Sequence, residues 1–500
     1  MVQLNAILIT IFLIILYPVY KGIYNVFFHP LSRIPGPRAW AATRLPFIRH
    51  LLTGNIVHRM EQLHHRYGPI VRIAPGEVVF AHPDAWNDIL QPRAGRPPFL
   101  KDFLWWSEPG PRSIITAIDP ATHARMRRTL APAFTRTALR AQEPIIQKYV
   151  TKLIERLRER VALANSGPGH HGAVVDIFPW VNFATFDIFG DLAYGEAFNC
   201  LENSEYHPWI SLIFNGIKAI AFITAVKFFP MFDWLLKKCI PPSMEKMKEA
   251  HFQHVVEKVQ RRINWEVSRE DIMSHTLKEA KEGKGMSLDE INHTFAGLTV
   301  AGSETTATTL GGIINYLSAD AVVRKRVVDE VRSRFDDEGQ ITLAVVEECT
   351  YLTAVIREGL RLCAAVPWIL PRVVPAGGAT VCGTKLPAGT LVSIQQYALN
   401  RSAKLFHNPA SFAPERWLDT APSSPYHNDD RKAVQPFSVG PRACIGQNLA
   451  WAELRLILAG LLYAFDIEEK EGGALPWENL RTFLLVEKRP LELRLKECVS

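Results

Sequence analysis

Phe437-Ser438-Val439-Gly440-Pro441-Arg442-Ala443-Cys444-Ile445-Gly446 places one cysteine between two glycines. The run that follows, 448–465, repeats apolar residues (Leu449, Leu454, Leu456, Ile457, Leu461, Leu462) at helical spacing. Gly440 and Pro441 suit a tight turn, because glycine tolerates positive φ and proline fixes its own. Cys444 is therefore expected in a loop that feeds a helix N-terminus, where unpaired N–H groups and the dipole favour thiolate over thiol. Arg442, two residues earlier, adds positive charge that could hold an acidic group beside the sulfur.

Such a sulfur can be inert, nucleophilic or a metal ligand. The inert reading is the default, since free cysteine is among the most buried residue types. His427, the nearest upstream histidine, lies in a polar stretch and offers no evident base. No second Cys or His stands at zinc spacing. A single axial thiolate to haem iron is what remains, a cofactor that brings four nitrogen ligands of its own.

The 500 residues are 48% hydrophobic, enough for a large core, and no repeat or charge block divides them. The net charge of +7 is mild, and without a Lys/Arg-rich run it gives no sign of nucleic-acid binding. Seven scattered cysteines, odd in number, fit reduced thiols better than a disulfide framework.

The first residues, almost wholly apolar from 6 to 19, predict a transmembrane anchor over 1–24. Lys21, Arg33 and Arg38 follow the run, so the remainder is expected on the cytoplasmic side. Pro30, Pro35 and Pro37 predict a stiff hinge over 25–40, ahead of one domain over 41–500. Ile70–Ala74 and Glu77–Phe80, parted by Pro75-Gly76, predict a hairpin. Residues 119–140, with Arg125, Arg127, Arg128, Arg136 and Arg140, read as one basic helix, and 141–165 and 180–197 as amphipathic ones. A long helix over 288–317 carries Ala301-Gly302-Ser303-Glu304-Thr305-Thr306 at its centre, a polar patch whose rival explanation is a kink. Glu358 and Arg361 share a helix face and can pair, and Pro414-Glu415-Arg416-Trp417 offers a second arginine.

The pattern Phe437-x-x-Gly440-x-Arg442-x-Cys444-x-Gly446, preceded in order by the Ala301–Thr305 patch, Glu358-x-x-Arg361 and Pro414-Glu415-Arg416, resembles the cytochrome P450 monooxygenases over nearly the whole chain. Tyr67-Gly68-Pro69-Ile70-Val71-Arg72-Ile73 is closest to membrane-bound fungal enzymes of secondary metabolism. The resemblance implies a mainly α fold with small β-sheets and haem b between a long central helix and the Cys444 loop. It further implies Cys444 as axial iron ligand, His123, Arg127 and Arg372 toward the haem propionates, and Ala301 lining an oxygen-binding groove. Here His123 stands where the family usually has Trp. Glu304 and Thr305 match the positions that relay protons, and Glu358, Arg361 and Arg416 match a buried structural triad.

The implied partners are an NADPH-cytochrome P450 reductase, cytochrome b5 as a further donor, O2 and a lipophilic small molecule, with residence in the endoplasmic reticulum membrane. No Gly-x-Gly-x-x-Gly fingerprint occurs, so the electrons are expected from a separate flavoprotein, docking near Arg125, Arg128, Arg136, Arg431 and Lys432. A haem-thiolate isomerase or dehydratase, and a non-catalytic haem protein, are the alternatives.

Overall fold

In the computed structural model, which describes residues 16–498 apart from 107–109, 167–171, 230–233, 235–237, 239–241, 266–268, 282–284, 419–420, 471 and 473, helices carry most of the chain. Those that position the site are α1 (Pro120–Leu130), α2 (Arg136–Asn165), α3 (Ile177–Tyr194), α4 (Pro208–Lys227), α5 (Leu288–Ala319), α6 (Thr350–Leu362) and α7 (Gln447–Ala464).

The single basic helix expected over 119–140 is two helices. Asp119 caps α1 by accepting the Thr122 N–H (2.7 Å), Pro132 lies in a 3-10 turn over Ala131–Phe134, and Thr135 starts α2 by accepting from Ala138 (3.2 Å). The predicted amphipathic helix over 180–197 is α3, and it is buried on every side from Trp180 to Tyr194. An all-round apolar helix belongs at the centre of a core, not on its surface. α5 begins with a capping box between Ser287 and Glu290 and runs without a break through 301–306. Its glycines let α3 approach: a Cβ on Gly302 would lie 2.6 Å from the Phe189 ring, and one on Gly311 would lie 2.0 Å from Phe178. Gly302 therefore serves helix packing.

The largest sheet contains β1 (Ile70–Ala74), β2 (Glu77–Phe80), β3 (Leu100–Lys101), β4 (Ile369–Val373) and β5 (Leu391–Ile394), in the order β1-β2-β5-β4-β3. The predicted β1–β2 hairpin is present, with an irregularity between Arg72 and Ala74. β3 pairs with β4 so that Lys101 faces Arg372 directly. A three-stranded sheet joins Ala173–Asp176, Glu492–Glu497 and Phe465–Glu469, and Thr482–Phe483 pairs with Leu485–Val486 across Leu484 at φ 70°.

Most of the expected anchor, residues 1–15, lies outside the described residues, and among those described no helix is long and apolar enough to cross a membrane. Residues 16–27 are helical. The 25–40 hinge is held by more than its prolines. Arg72, 1% exposed, donates to the carbonyls of Asn25 (2.8 Å) and Pro75 (2.7 Å). The Asn25 amide donates to the Ala42 carbonyl (3.0 Å), and Arg38–Ala42 is a short helix.

Glu358, Arg361 and Arg416 are all fully buried. Glu358 accepts from both Nε (2.9 Å) and Nη2 (2.6 Å) of Arg361, from Arg416 Nε (3.2 Å), from Trp417 Nε1 (2.9 Å) and from the Ala413 N–H (3.0 Å). Arg361 also donates to the carbonyls of Asn400 (2.7 Å), Pro409 (2.7 Å) and Ser411 (3.0 Å), and Arg416 pairs with Asp429. Burial pushes the Glu358 carboxyl up, but the two guanidiniums outweigh it and the net shift is downward. Removing one member strands buried charge, at a cost of roughly 3–5 kcal/mol. Glu358→Ala and Arg361→Ala should therefore yield little soluble, haem-loaded protein, as read by soluble yield and thermal unfolding. Fully loaded variants with only a kinetic defect would contradict the structural role.

Candidate active site

The Cys444 loop is shaped before it reaches the cysteine. Ser438 (φ 60°) and Gly440 (φ 80°) reverse the chain, and a Cβ on Gly440 would lie 2.4 Å from the Leu90 carbonyl oxygen, so only glycine fits. The Cys444 N–H donates to the Phe437 carbonyl (2.8 Å), and Ala443 N–H to that of Gly440 (3.0 Å). Phe437 tilts against Trp451 of α7, and Gly446 is the N-cap of that helix. Arg127 of α1 ties itself to the loop by donating to the Ala443 carbonyl (2.6 Å).

Among the described free cysteines, Cys444 alone is exposed, although its surroundings still penalise charge. The sulfur therefore opens into a recess within the protein. Burial pushes its thiol up, the Gly446 N–H and Arg127 pull it down, and the net shift is upward. The pull of the helix N-terminus toward thiolate is thus present but outweighed by burial. A cation bound at sulfur would tip the balance, since metal ligation requires the deprotonated form.

Beside this loop lies a cavity of about 390 Å³ whose wall includes His123, Arg127, Arg128, Arg372, Arg442 and Phe99. No carboxylate lines it among the described residues. Arg442 donates to the carbonyls of Ala117 (2.6 Å) and Ile118 (2.7 Å), and so does not hold an acidic group at the sulfur. Arg372 is 9% exposed, its Nη1 has no partner among the described residues, and burial together with Arg442 pushes it down to about 9. Lys101, opposite it on β3, is also buried and is driven well down by burial and by Arg372 and Arg442. Like charges directly opposed across a sheet are unfavourable. Burial and the surrounding Arg442, Lys101, Arg127 and Arg372 push the His123 imidazole down to about 3, so it is neutral and can donate one N–H. This donor set suits an anion with two carboxylates, and the open thiol beside it suits a metal at its centre. The residues fit haem and its propionates.

The sequence matches the family described as Cytochrome P450 over residues 34–494. The chain belongs to the cytochrome P450 family. This P450 is 42% identical to cytochrome P450 monooxygenase astJ of Aspergillus oryzae over 95% of its own length and 94% of that protein's. It is 39% identical to monooxygenase cpaH of Aspergillus oryzae (99% and 94% covered) and 40% identical to averantin hydroxylase of Dothistroma septosporum (94% and 88% covered). It is accordingly an oxidoreductase, a monooxygenase that uses haem b with a cysteine thiolate as axial ligand, O2 and a redox partner.

On α5 this P450 holds Ala301 and Thr305 half-buried, with Thr305 Oγ1 donating to the Ala301 carbonyl (2.7 Å). Glu304 is not joined to Thr305. Its Oε1 pairs with Lys488 Nζ at 2.7 Å, on the wall of a second cavity. Among the residues expected to meet a reductase, Arg125 is engaged by both oxygens of Glu290 (2.9 and 2.7 Å). Arg431 donates to the Arg416 carbonyl (2.5 Å).

Lys101, Lys488 and Glu453 carry site chemistry that the sequence reading missed. Glu453 of α7 is fully buried beside Thr306, and burial pushes its carboxyl from 4.5 up to about 8. The unfolded chain loses that proton first, so the folded state holds an extra proton between about pH 4.5 and 8. Stability therefore falls as pH rises through this window, by at most about 1.4 kcal/mol per pH unit. Glu453→Gln should match the wild type near pH 5 and exceed its melting temperature above about pH 8. Parallel pH–melting curves would show that Glu453 ionises normally in the fold.

Proposed function

We propose that this P450 is a membrane-anchored enzyme that inserts one oxygen atom from O2 into a lipophilic secondary metabolite, a terpenoid, polyketide or alkaloid. Electrons come from an NADPH-dependent reductase, with cytochrome b5 as an additional donor. The observation that carries the haem assignment is the cationic cavity, carboxylate-free among the described residues, walled by Val439, Pro441 and Arg442 of the loop that exposes Cys444. The relatives named monooxygenase and hydroxylase support the reaction class.

When bound, the haem supplies oxygen activation and the power to oxidise an unactivated C–H bond. The chain's own residues bind, orient and move protons. Arg127, Arg372 and Arg442 hold the propionates by charge and His123 by one N–H, while Cys444 ligates the iron. The Thr305 hydroxyl, released from the Ala301 carbonyl, holds a water and passes a proton at Oγ1. Apolar stretches around Phe99, Trp368 and Phe483 exclude bulk water and favour a lipophilic substrate.

Two elements with exposed apolar side chains support membrane contact. Residues 16–28 expose Tyr17, Tyr20, Ile23, Phe27 and Phe28, and α4 exposes Ile220, Phe222 and Ile223. Phe47 and Leu51 share a buried cluster with Ala221 and Ala225, so exposed Leu45 and Leu52 adjoin the exposed face of α4. Adjoining apolar surface on separate elements suits a lipid interface. We place the anchor in the endoplasmic reticulum membrane, single-pass, with the domain on the cytoplasmic side.

Removing residues 1–28 should therefore release the protein from vesicles only in part, by sedimentation, and full release would show α4 to be ordinary surface. Thr305→Ala should leave substrate affinity and the carbonyl spectrum nearly unchanged. NADPH consumption should continue while product falls by about a hundredfold or more and hydrogen peroxide rises to match, the lower end of one general acid–base contribution. Thr306→Ala should be milder. Tight coupling in Thr305→Ala would remove Thr305 from the proton path, and absence of NADPH- and O2-dependent product with a reductase would overturn the monooxygenase cycle proposed here.

A further inference from the structure

Glu304 faces away from the groove. Its Oε1 lies 2.7 Å from Lys488 Nζ, its Oε2 has no hydrogen-bond partner among the described residues, and the residue is 4% exposed. Lys488 Nζ also donates to Asn182 Oδ1 (2.9 Å), and Asn182 Nδ2 donates to Tyr206 Oη (2.9 Å). The carboxylate is thus held where α5, α3 and the segment after the Thr482–Val486 hairpin converge. A cavity of about 360 Å³ opens at this point, walled by Glu304, Lys488, Asn182, Tyr206, Lys218 and Phe483. Its other charged side chains are Asp176, Glu487 (paired with Lys218) and Arg489. The space sets polar groups beside Glu304 within a largely apolar wall and is large enough for several waters.

We propose that Lys488 is the positioning residue of Glu304: it holds the carboxylate in this cavity to collect a solvent proton and lets it turn toward Thr305 once protonated. This rests on the reading of Glu304 as a proton donor. A buried ion pair with one unsatisfied carboxylate oxygen is a poor strut, because desolvation of that oxygen is uncompensated. The same oxygen is well placed to take a proton from cavity water. Burial pushes the Glu304 carboxyl up and the Lys488 ammonium down, and each opposes the shift of the other. Protonation at Oε2 removes the negative charge that Lys488 binds, so the charge-assisted bond weakens when there is a proton to deliver. One proton enters at Oε2, one leaves toward the Thr305 hydroxyl, and the regenerated carboxylate returns to Lys488. No electrons move in this step.

The test uses the full-length, haem-loaded enzyme with its reductase and compares Lys488→Met, Lys488→Arg and Glu304→Gln, singly and combined. Lys488→Met should keep the haem content and carbonyl spectrum, lower product formed per NADPH several-fold, and raise the solvent isotope effect on NADPH oxidation. Lys488→Arg should restore most of the coupling. In the resting enzyme, infrared difference spectra against Glu304→Gln should show Glu304 ionised in the wild type and as a protonated carboxyl in Lys488→Met. If Lys488→Met does not accumulate, Lys488→Gln makes the same comparison while keeping a donor for Asn182. Lower thermal stability with unchanged isotope effect and infrared band would make Lys488 a strut and overturn the proposal. An equal loss of coupling from Lys488→Met in the Glu304→Gln background would show that it acts elsewhere. Intact coupling in Glu304→Gln alone would instead remove Glu304 as proton donor, a failure distinct from that of Lys488.

Discussion

Buried positive charge is the constraint on which this structure depends. β3 and β4 set Lys101 opposite Arg372, and α1 and the Cys444 loop bring Arg127 and Arg442 to the same cavity. Each guanidinium or ammonium has surrendered hydration, and no carboxylate on the cavity wall repays it among the described residues. An isolated protein would avoid such an arrangement, whereas one that folds around a dianionic cofactor needs it. The charge pattern therefore couples cofactor retention to stability. It also explains why His123 can stand among these cations: a neutral imidazole adds a donor without adding repulsion.

The scaffold behind that cavity solves the opposite problem. Around Glu358, positive charge is buried with its counter-charge, and carbonyls from Asn400, Pro409 and Ser411 complete the bonds of Arg361. Satisfied on all sides, this cluster can be rigid without a ligand. The incomplete cationic cavity and the completed ionic cluster thus divide the labour between binding and support.

How much could be read in the sequence follows from how local each signal is. The Cys444 loop was legible because Gly440, Arg442 and the helix start lie within a few residues of the sulfur. Glu358 and Arg361 were legible because three residues bring them onto one helix face. Lys101 was missed because its meaning comes from strand pairing with a residue far along the chain, and Lys488 because its partner Glu304 is likewise distant in sequence. Gly302 read only as part of a polar patch, because the atom its absent Cβ would strike belongs to Phe189 on another helix. Residues 119–140 looked continuous because arginines recur throughout, and the break depends on how Pro132 and Thr135 act together.

The two buried acids touching α5 show how far the environment, rather than residue type, decides chemistry. Glu304 has Lys488 at 2.7 Å and an adjoining cavity, whereas Glu453 packs beside Thr306 with burial dominating its titration. Burial raises both carboxyls, but only Glu304 has a cation opposing the shift. Glu453 is consequently mostly neutral at pH 7. Glu304 keeps a partner that can be loosened by a single proton. Carboxyls whose environments differ in this way can take different roles within one fold, one as neutral packing and the other as a movable acid.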